Sequence, residues 1–303
     1  MNARTMADSQ PSRDGKYRRA KLRHAFLTKG ADKILGGRLT QAHDRQVLNT
    51  THLEVPMANW PMAWDGLRIG HLSDIHYGSL MTAEKCIAAI DQLAAEQPHI
   101  VAFTGDMIDL DCGEDAQPVF DALAAMKPPL GVFMVMGNHD YLDNGPLVRQ
   151  MAKKAGIQVL DEDTVTFRRS DYELPGVGDG TDGELRVSGI DWGRTVKELS
   201  PRVEKVSQDE PHLLLAHNPK AFLPASSHGI PLTLAGHTHG GQVATPKKPG
   251  INLALAMLHR LNAGLYNRKD SSLFVTVGVG SLFPLRVHCP AEVVVLTAKH
   301  LGS

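Results

Sequence analysis

Five short segments of this chain carry carboxylates, amides and imidazoles at close spacing. They are Asp74-Ile75-His76, Gly105-Asp106-Met107-Ile108-Asp109, Gly137-Asn138-His139-Asp140, Ala216-His217-Asn218-Pro219 and Gly236-His237-Thr238-His239. Carboxylate oxygen, amide oxygen and imidazole nitrogen are donors that first-row divalent cations accept, and no thiolate is among them. Asp74 and His76 are two residues apart, which puts both side chains on one side of an extended segment, where they can share an ion. His237 and His239 repeat that spacing. Asp106 has two oxygens and can bridge two ions about 3.5–4 Å apart. Asn138 offers a neutral carbonyl oxygen. His139 suits a protonated acid beside a leaving group, with Asp140 holding its ring. Asp109 suits a hydrogen bond to a metal-bound imidazole, fixing its tautomer.

Nearly every one of these segments follows an apolar run, so strands must deliver them. Leu67–Leu72, His99–Phe103 and Gly131–Met136 read as short buried strands that lead into the first three segments. Helical periodicity over 82–96, 116–126 and 147–155 alternates with them. Further strands are expected at 51–55, 157–160, 164–167, 185–190, 212–216, 232–235, 273–277 and 293–296, separated by Gly- and Pro-rich turns. Alternating helices and strands followed by many strands predict an α/β fold with two packed sheets. Ligands then sit at the C-terminal ends of strands, the usual place for a site in an open α/β sheet. The pair Asp191-Trp192 reads either as a loop at the edge of the site or as a plain strand end. His71, His99, His212, His228, His259 and His288 read as ordinary core or surface histidines. Residues 245–265 resemble an insertion near the site, in which Leu253, Leu255, Met257 and Leu258 form either an apolar wall or a buried helix.

The 303 residues carry a net charge of −1, but unevenly. Residues 16–45 hold nine Lys/Arg against Asp32 and Asp44, whereas residues 46–303 are acidic, with a net charge of −8. The division expected is a basic, partly helical arm over 1–47, broken at Gly30 and Gly36-Gly37, on a catalytic domain over 48–303. Leu22, Phe26, Leu27, Ile34, Leu35 and Leu39 give the arm an apolar stripe. That stripe fits a peripheral membrane contact through residues 16–45, or a helix packed on the domain or on another copy. Cys86, Cys112 and Cys289 are too few and too scattered for a disulfide framework or a thiolate zinc site. No run reaches the about 18 apolar residues of a membrane span. Arg18-Arg19 is followed by Lys21, Arg23 and His24 in place of an apolar export segment. The expected location is cytoplasmic, with peripheral contact at the inner membrane.

The ordered motif set resembles the calcineurin-like metallophosphoesterase family over roughly residues 50–298. That resemblance implies a two-sheet β-sandwich flanked by helices in a four-layer fold. It implies that Asp74, His76, Asp106 and His239 hold one divalent ion and that Asp106, Asn138, His217 and His237 hold a second. Manganese is the first choice, with Fe, Zn, Co or Mg as alternatives. The reaction implied is hydrolysis of a phosphodiester or pyrophosphate by a hydroxide bridging the two ions, with His139 as general acid. The glycine tail of Gly236-His237-Thr238-His239-Gly240-Gly241-Gln242 resembles a bacterial membrane-associated phosphodiesterase branch. So do Gly264-Leu265-Tyr266-Asn267-Arg268, Val279-Gly280, Pro284-Leu285-Arg286 and Pro290-Ala291-Glu292. This branch includes UDP-2,3-diacylglucosamine pyrophosphatases of lipid A synthesis. Arg286 is a candidate phosphate-binding residue, since guanidinium matches phosphate oxygens.

Two competing readings are compatible with the sequence. One is a cyclic-nucleotide phosphodiesterase or a nuclease, although an acidic body disfavours long nucleic acid and none is expected as partner. The other is a non-catalytic metal-binding scaffold, which would be expected to have lost some of the donors this chain retains.

Overall fold

A computed structural model describes residues 13–244 and 260–302 of the chain. Two six-stranded sheets make up its centre. The strands are β1 Asn49–Met57, β2 Leu67–Leu72, β3 Ile100–Phe103, β4 Val132–Met134, β5 Gln158–Val159, β6 Asp163–Arg168, β7 Glu184–Gly189, β8 Leu213–Leu215, β9 Leu232–Ala235, β10 Gly264–Arg268, β11 Ser271–Val275 and β12 Glu292–His300. One sheet runs β1-β12-β2-β3-β4-β5 and the other β10-β11-β9-β8-β7-β6. The pairs β2–β3, β3–β4, β7–β8 and β8–β9 are parallel. Those central strands therefore end together, and their C-terminal loops meet along one rim.

Helices cover the outer faces. Helices α4 Ala83–Ala94, α5 Gln117–Ala125 and α6 Gly145–Ala155 follow the three short helices of the arm, α1 Arg13–His24, α2 Ala31–Ile34 and α3 Arg38–Asp44; α7 Val196–Ser207 and α8 Phe222–Ser227 come later. Apolar side chains fill three layers. Trp60, Trp64, Ile69, Leu213 and Leu234 belong to one buried cluster that draws on both sheets. Ile90, Phe103, Phe120, Met134 and Met151 pack α4, α5 and α6 onto the first sheet. Leu199, Val203, Leu214 and Ala225 pack α7 and α8 onto the second. This is the α/β architecture of two sheets flanked by helices expected from the sequence.

Four local features differ from the sequence reading. Gly30 does not break the arm. It has helical dihedrals between a π-helical turn, Ala25–Gly30, and α2, so the helix runs on to Ile34. The break comes at Gly36 and Gly37, both with positive φ. Three elements were not anticipated: the edge strand β10, the helix α7, which contains Pro201, and the short helix α8. Most of the expected 245–265 insertion, including Leu253, Leu255, Met257 and Leu258, lies outside the described residues.

Candidate metal centre

Each motif begins where a central strand ends. Asp74 and His76 leave β2, Asp106 leaves β3, Asn138 and His139 leave β4, His217 leaves β8, and His237 and His239 leave β9. The backbone turns hard at these points. Asp74, His76, Asp106, His237 and His239 all have positive φ, between 51° and 73°. Such conformations cost of order 1 kcal/mol or more each and gather at functional sites. The turns also pack against one another without room to spare. A Cβ on Gly236 would lie 2.0 Å from Ser73 Oγ and 2.2 Å from Asp74 Oδ2, so only glycine fits there.

The donors converge in two groups. In the first, His239 Nε2 lies 3.3 Å and His76 Nε2 3.8 Å from Asp74 Oδ1, and the two ring nitrogens are 3.0 Å apart. In the second, His217 Nε2 lies 3.2 Å from Asp106 Oδ2, 3.2 Å from Asn138 Oδ1 and 3.1 Å from His237 Nδ1. Asp106 Oδ2 joins the groups, being also 3.6 Å from His76 Nε2. Its other oxygen accepts the His139 backbone N–H at 2.7 Å, which fixes the carboxylate plane. The atoms of Asp74, His76 and His239 fall close enough together to hold an ion, as do those of Asp106, His217 and His237.

Groups behind the donors set their direction. His217 Nδ1–H donates to the Thr104 carbonyl at 2.7 Å, so Nε2 is the nitrogen that faces the centre and would supply the lone pair to an ion. Asp74 Oδ2 accepts the Ser73 hydroxyl at 2.5 Å and the His237 backbone N–H at 2.9 Å. Asp109 Oδ1 lies 3.4 Å from His76 Nδ1 and 3.6 Å from His139 Nδ1. His139 Nδ1–H donates to the Asp109 backbone carbonyl at 2.5 Å.

Electrostatics match a cation at the centre. Asp74, Asp106 and Asp109 are buried. Burial pushes each carboxyl up, but His239 for Asp74, His217 for Asp106 and His139 for Asp109 outweigh it, and all three end well below the usual range. Burial opposes a charge on His76, yet contacts to Asp109 and Asp74 hold it up to about 10. Burial likewise opposes charge on His217, and Asp106 lifts it to about 9. At His239 burial prevails and the ring falls to about 3. Two imidazole nitrogens 3.0 Å apart, both presenting lone pairs, repel unless a proton or a cation lies between them. The donor set of oxygen and nitrogen fits divalent first-row ions.

Two sequence assignments meet a different environment. Asp140 does not hold the His139 ring. Its Oδ2 accepts the backbone N–H groups of Asp106 and Gly137 at 2.9 and 2.8 Å, and its Oδ1 those of Met107 and Ile108 at 2.9 and 3.2 Å. Four N–H donors surround one carboxylate, so Asp140 ties the loop after β3 to the loop after β4, and the carboxylate beside His139 is that of Asp109. Burial and the Asp106 charge nonetheless lift the Asp140 carboxyl to about 6. Arg286 is buried, and its guanidinium donates to Ser281 Oγ and to the carbonyls of Val277, Gly278, Gly280 and Cys289. It braces the loop after β11 and does not present its donors to a phosphate.

The arm and Trp192 also reach this region. Lys21 pairs with Asp111 at 2.9 Å, and the Tyr17 hydroxyl bonds the same carboxylate. His24 contacts Asp109 Oδ2 at 3.6 Å and Ser79 Oγ at 3.1 Å. Trp192 packs its ring against His217 and His237, at centroid distances of 5.4 and 4.9 Å. Its place after β7, in the same position that the other motifs occupy after their strands, was the available signal.

The calcineurin-like phosphoesterase model matches residues 67–241. The chain belongs to that family. Metal-binding hydrolysis of phosphoester bonds is therefore the class of reaction for this phosphoesterase. It is similar to the uncharacterised metallophosphoesterase YkuE of Bacillus subtilis (29% identical over 84% of this chain and 86% of that protein). It is also similar to the phosphodiesterase YaeI of Escherichia coli (29% identical, 76% and 81%). A transmembrane protein with a metallophosphoesterase domain from Bos taurus is 28% identical over 80% of this chain, which spans 55% of that protein's length. Among the described residues of this phosphoesterase, no helix is long and apolar enough to cross a membrane.

Proposed function

We propose that this phosphoesterase is a two-metal phosphodiesterase or pyrophosphatase. The position of Asp106 Oδ2 carries the reading, 3.6 Å from His76 Nε2 in one donor group and 3.2 Å from His217 Nε2 in the other. Asp74, His76, Asp106 and His239 would hold one ion, and Asp106, Asn138, His217 and His237 the other. Bound there, divalent ions supply an activated water and a clamp on the phosphoryl oxygens. His139 is buried beside His76, with ring centroids 4.6 Å apart. The Asp109 carbonyl holds its Nδ1 proton, which leaves Nε2 to deliver a proton to the departing alkoxide. Asp109 Oδ1 faces Nδ1 of both His76 and His139 and steadies the two rings.

The substrate we propose is a membrane-associated phosphodiester or pyrophosphate, such as a UDP-linked acylated sugar. Support comes from the arm. Leu22, Phe26, Ile34 and Leu35 are exposed, Ile34 at 86%, among Arg18, Arg19, Lys21, Arg23, Lys29 and Lys33. Exposed apolar and basic side chains on one short helical stretch suit an anionic bilayer surface. Manganese is the first candidate ion.

The test is hydrolysis of bis-p-nitrophenyl phosphate by metal-stripped protein, with and without Mn²⁺. Turnover that appears only with metal supports the reading. Equal turnover with and without metal, or none with any divalent ion for this ester and for UDP-sugar pyrophosphates, overturns it.

A further inference from the structure

We propose that Trp192 is a specificity-determining wall of the catalytic cleft, on which a planar ring attached to the substrate phosphate stacks, a nucleobase above all. The inference rests on the phosphoesterase reading of the metal centre and names the substrate class that centre prefers.

Exposure shows where the centre opens. Asp74, His76, Asp106, His139, His217 and His239 are buried, whereas Asn138, His237 and Trp192 are partly exposed. The partly exposed members mark the side from which a phosphate ester reaches the donors. Trp192 stands there with its ring 4.9 Å from that of His237, so a substituent on a phosphate at the centre must pass close to the indole. Indole offers a large π-face at little conformational cost.

The wall is also braced on both sides. The Asp191 backbone N–H donates to Glu162 Oε1 at 3.1 Å, and the Tyr141 hydroxyl donates to Asp191 Oδ1 at 2.6 Å. Arg149 adds an ion pair to Asp191 at 3.4 Å. Beyond the tryptophan, Asn218 Nδ2 donates to the carbonyls of Gly193 and Arg194 at 2.9 and 3.2 Å. Asn218 directly follows His217, so the segment that brings a donor to the centre also fixes the loop bearing the indole. A platform held in this way loses little freedom when a ring stacks on it, which favours affinity.

The test is binding to metal-loaded protein, measured by calorimetry, of uridine 5′-monophosphate, ribose 5-phosphate and phenyl phosphate. Wild type is expected to bind the nucleotide about tenfold more tightly than ribose 5-phosphate, the usual order for stacking one base on one aromatic side chain. Trp192→Ala should erase that preference and leave ribose 5-phosphate affinity within about twofold, while Trp192→Phe retains most of it. A preference for phenyl phosphate over the nucleotide that is lost in Trp192→Ala would keep the wall and assign it to simple aryl esters. The unaltered protein gives a second readout, because Trp60 and Trp64, the other two tryptophans, are buried. Acrylamide-accessible emission then comes from Trp192, and the nucleotide, but not ribose 5-phosphate, should shield it. Equal binding of nucleotide and ribose 5-phosphate, or a preference that survives in Trp192→Ala, overturns the proposal while the metal centre stands. Protein that takes up no metal and binds no phosphate ester overturns the proposal together with the reading beneath it.

Discussion

Asp140→Asn separates a structural role for this carboxylate from a role beside His139. In the native state its two oxygens accept four backbone N–H groups, two on each oxygen. Either orientation of an asparagine amide turns its NH₂ toward two N–H donors. Two hydrogen bonds to a charged acceptor are lost and two buried donors are left without partners. Each such bond contributes about 1.5–3 kcal/mol, so the loss is at least about 3 kcal/mol. For a chain of this size that lowers the melting temperature by about 6–12 °C. Thermal and urea unfolding should be measured on metal-free protein, so that weakened ion binding does not add to the effect. The orphaned donors are either the Asp106 and Gly137 amides or those of Met107 and Ile108, and either pair lies in the loops that carry Asp106 and Asn138, so metal affinity and turnover should fall as well. If Asp140 served chiefly to orient His139, the variant would melt within about 1 °C of wild type and lose only kcat. That result would refute the assignment.

Other substitutions give independent checks. His139→Asn should retain both ions and lose about 10²–10⁴ of kcat on an unactivated alkyl diester; metal analysis and steady-state kinetics on one preparation decide this, and unchanged kcat would remove His139 from the chemistry. Arg286→Lys should cost about 2–4 kcal/mol, because several buried carbonyls lose their donor, with KM for bis-p-nitrophenyl phosphate unchanged within about twofold. A large rise in KM without loss of stability would restore a phosphate-binding role. His71 is fully buried, bonds Thr104 Oγ1 at 2.8 Å, and burial drives its ring down to about 3. Its folded pKa lies below the unfolded value near 6.5, so between the two the unfolded chain binds the extra proton. The stability this neutral ring contributes is complete above pH about 6.5 and drains away as pH falls toward 3. His71→Gln should therefore lose about 2 kcal/mol less than wild type between pH 7 and pH 5 in urea unfolding of metal-free protein. An identical pH dependence in the two proteins would contradict the assignment.

The strands that carry the motifs were legible because their runs are largely apolar and end in a burst of polar residues. Leu67–Leu72 matches β2 from end to end, and α4 to α6 followed from their periodicity. Edge strand β10 was not legible, since Gly264–Arg268 is mostly exposed and offers no apolar alternation. Pro201 masked α7, although Thr195 and Glu198 cap its start, the Thr195 hydroxyl accepting the Glu198 N–H at 3.3 Å. Glycine is a poor helix former, which predicts a break at Gly30, but the helix continues through it toward Ile34. At the centre, residue types announced the donors, while adjacency in sequence misled about their supports. Asp140 is next to His139 in the chain, yet its carboxylate reaches backbone amides and the carboxylate of Asp109 approaches the ring. Guanidinium chemistry suggested a ligand role for Arg286, and only packing reveals the carbonyls that surround it. Trp192 lies far from the other motifs in sequence, and the parallel order β7-β8-β9 brings it beside His217 and His237.

Metal stoichiometry tests the central claim most directly. Metal-stripped wild type and Asp106→Asn should be equilibrated with Mn²⁺ and the bound ions counted per chain by elemental analysis, with diester turnover followed on the same samples. The account predicts two ions per chain in wild type, with turnover rising as the second is bound, and at most one ion with turnover lost in Asp106→Asn. Full turnover with one ion or none, or two tightly held ions in Asp106→Asn with activity intact, would contradict a centre joined through Asp106.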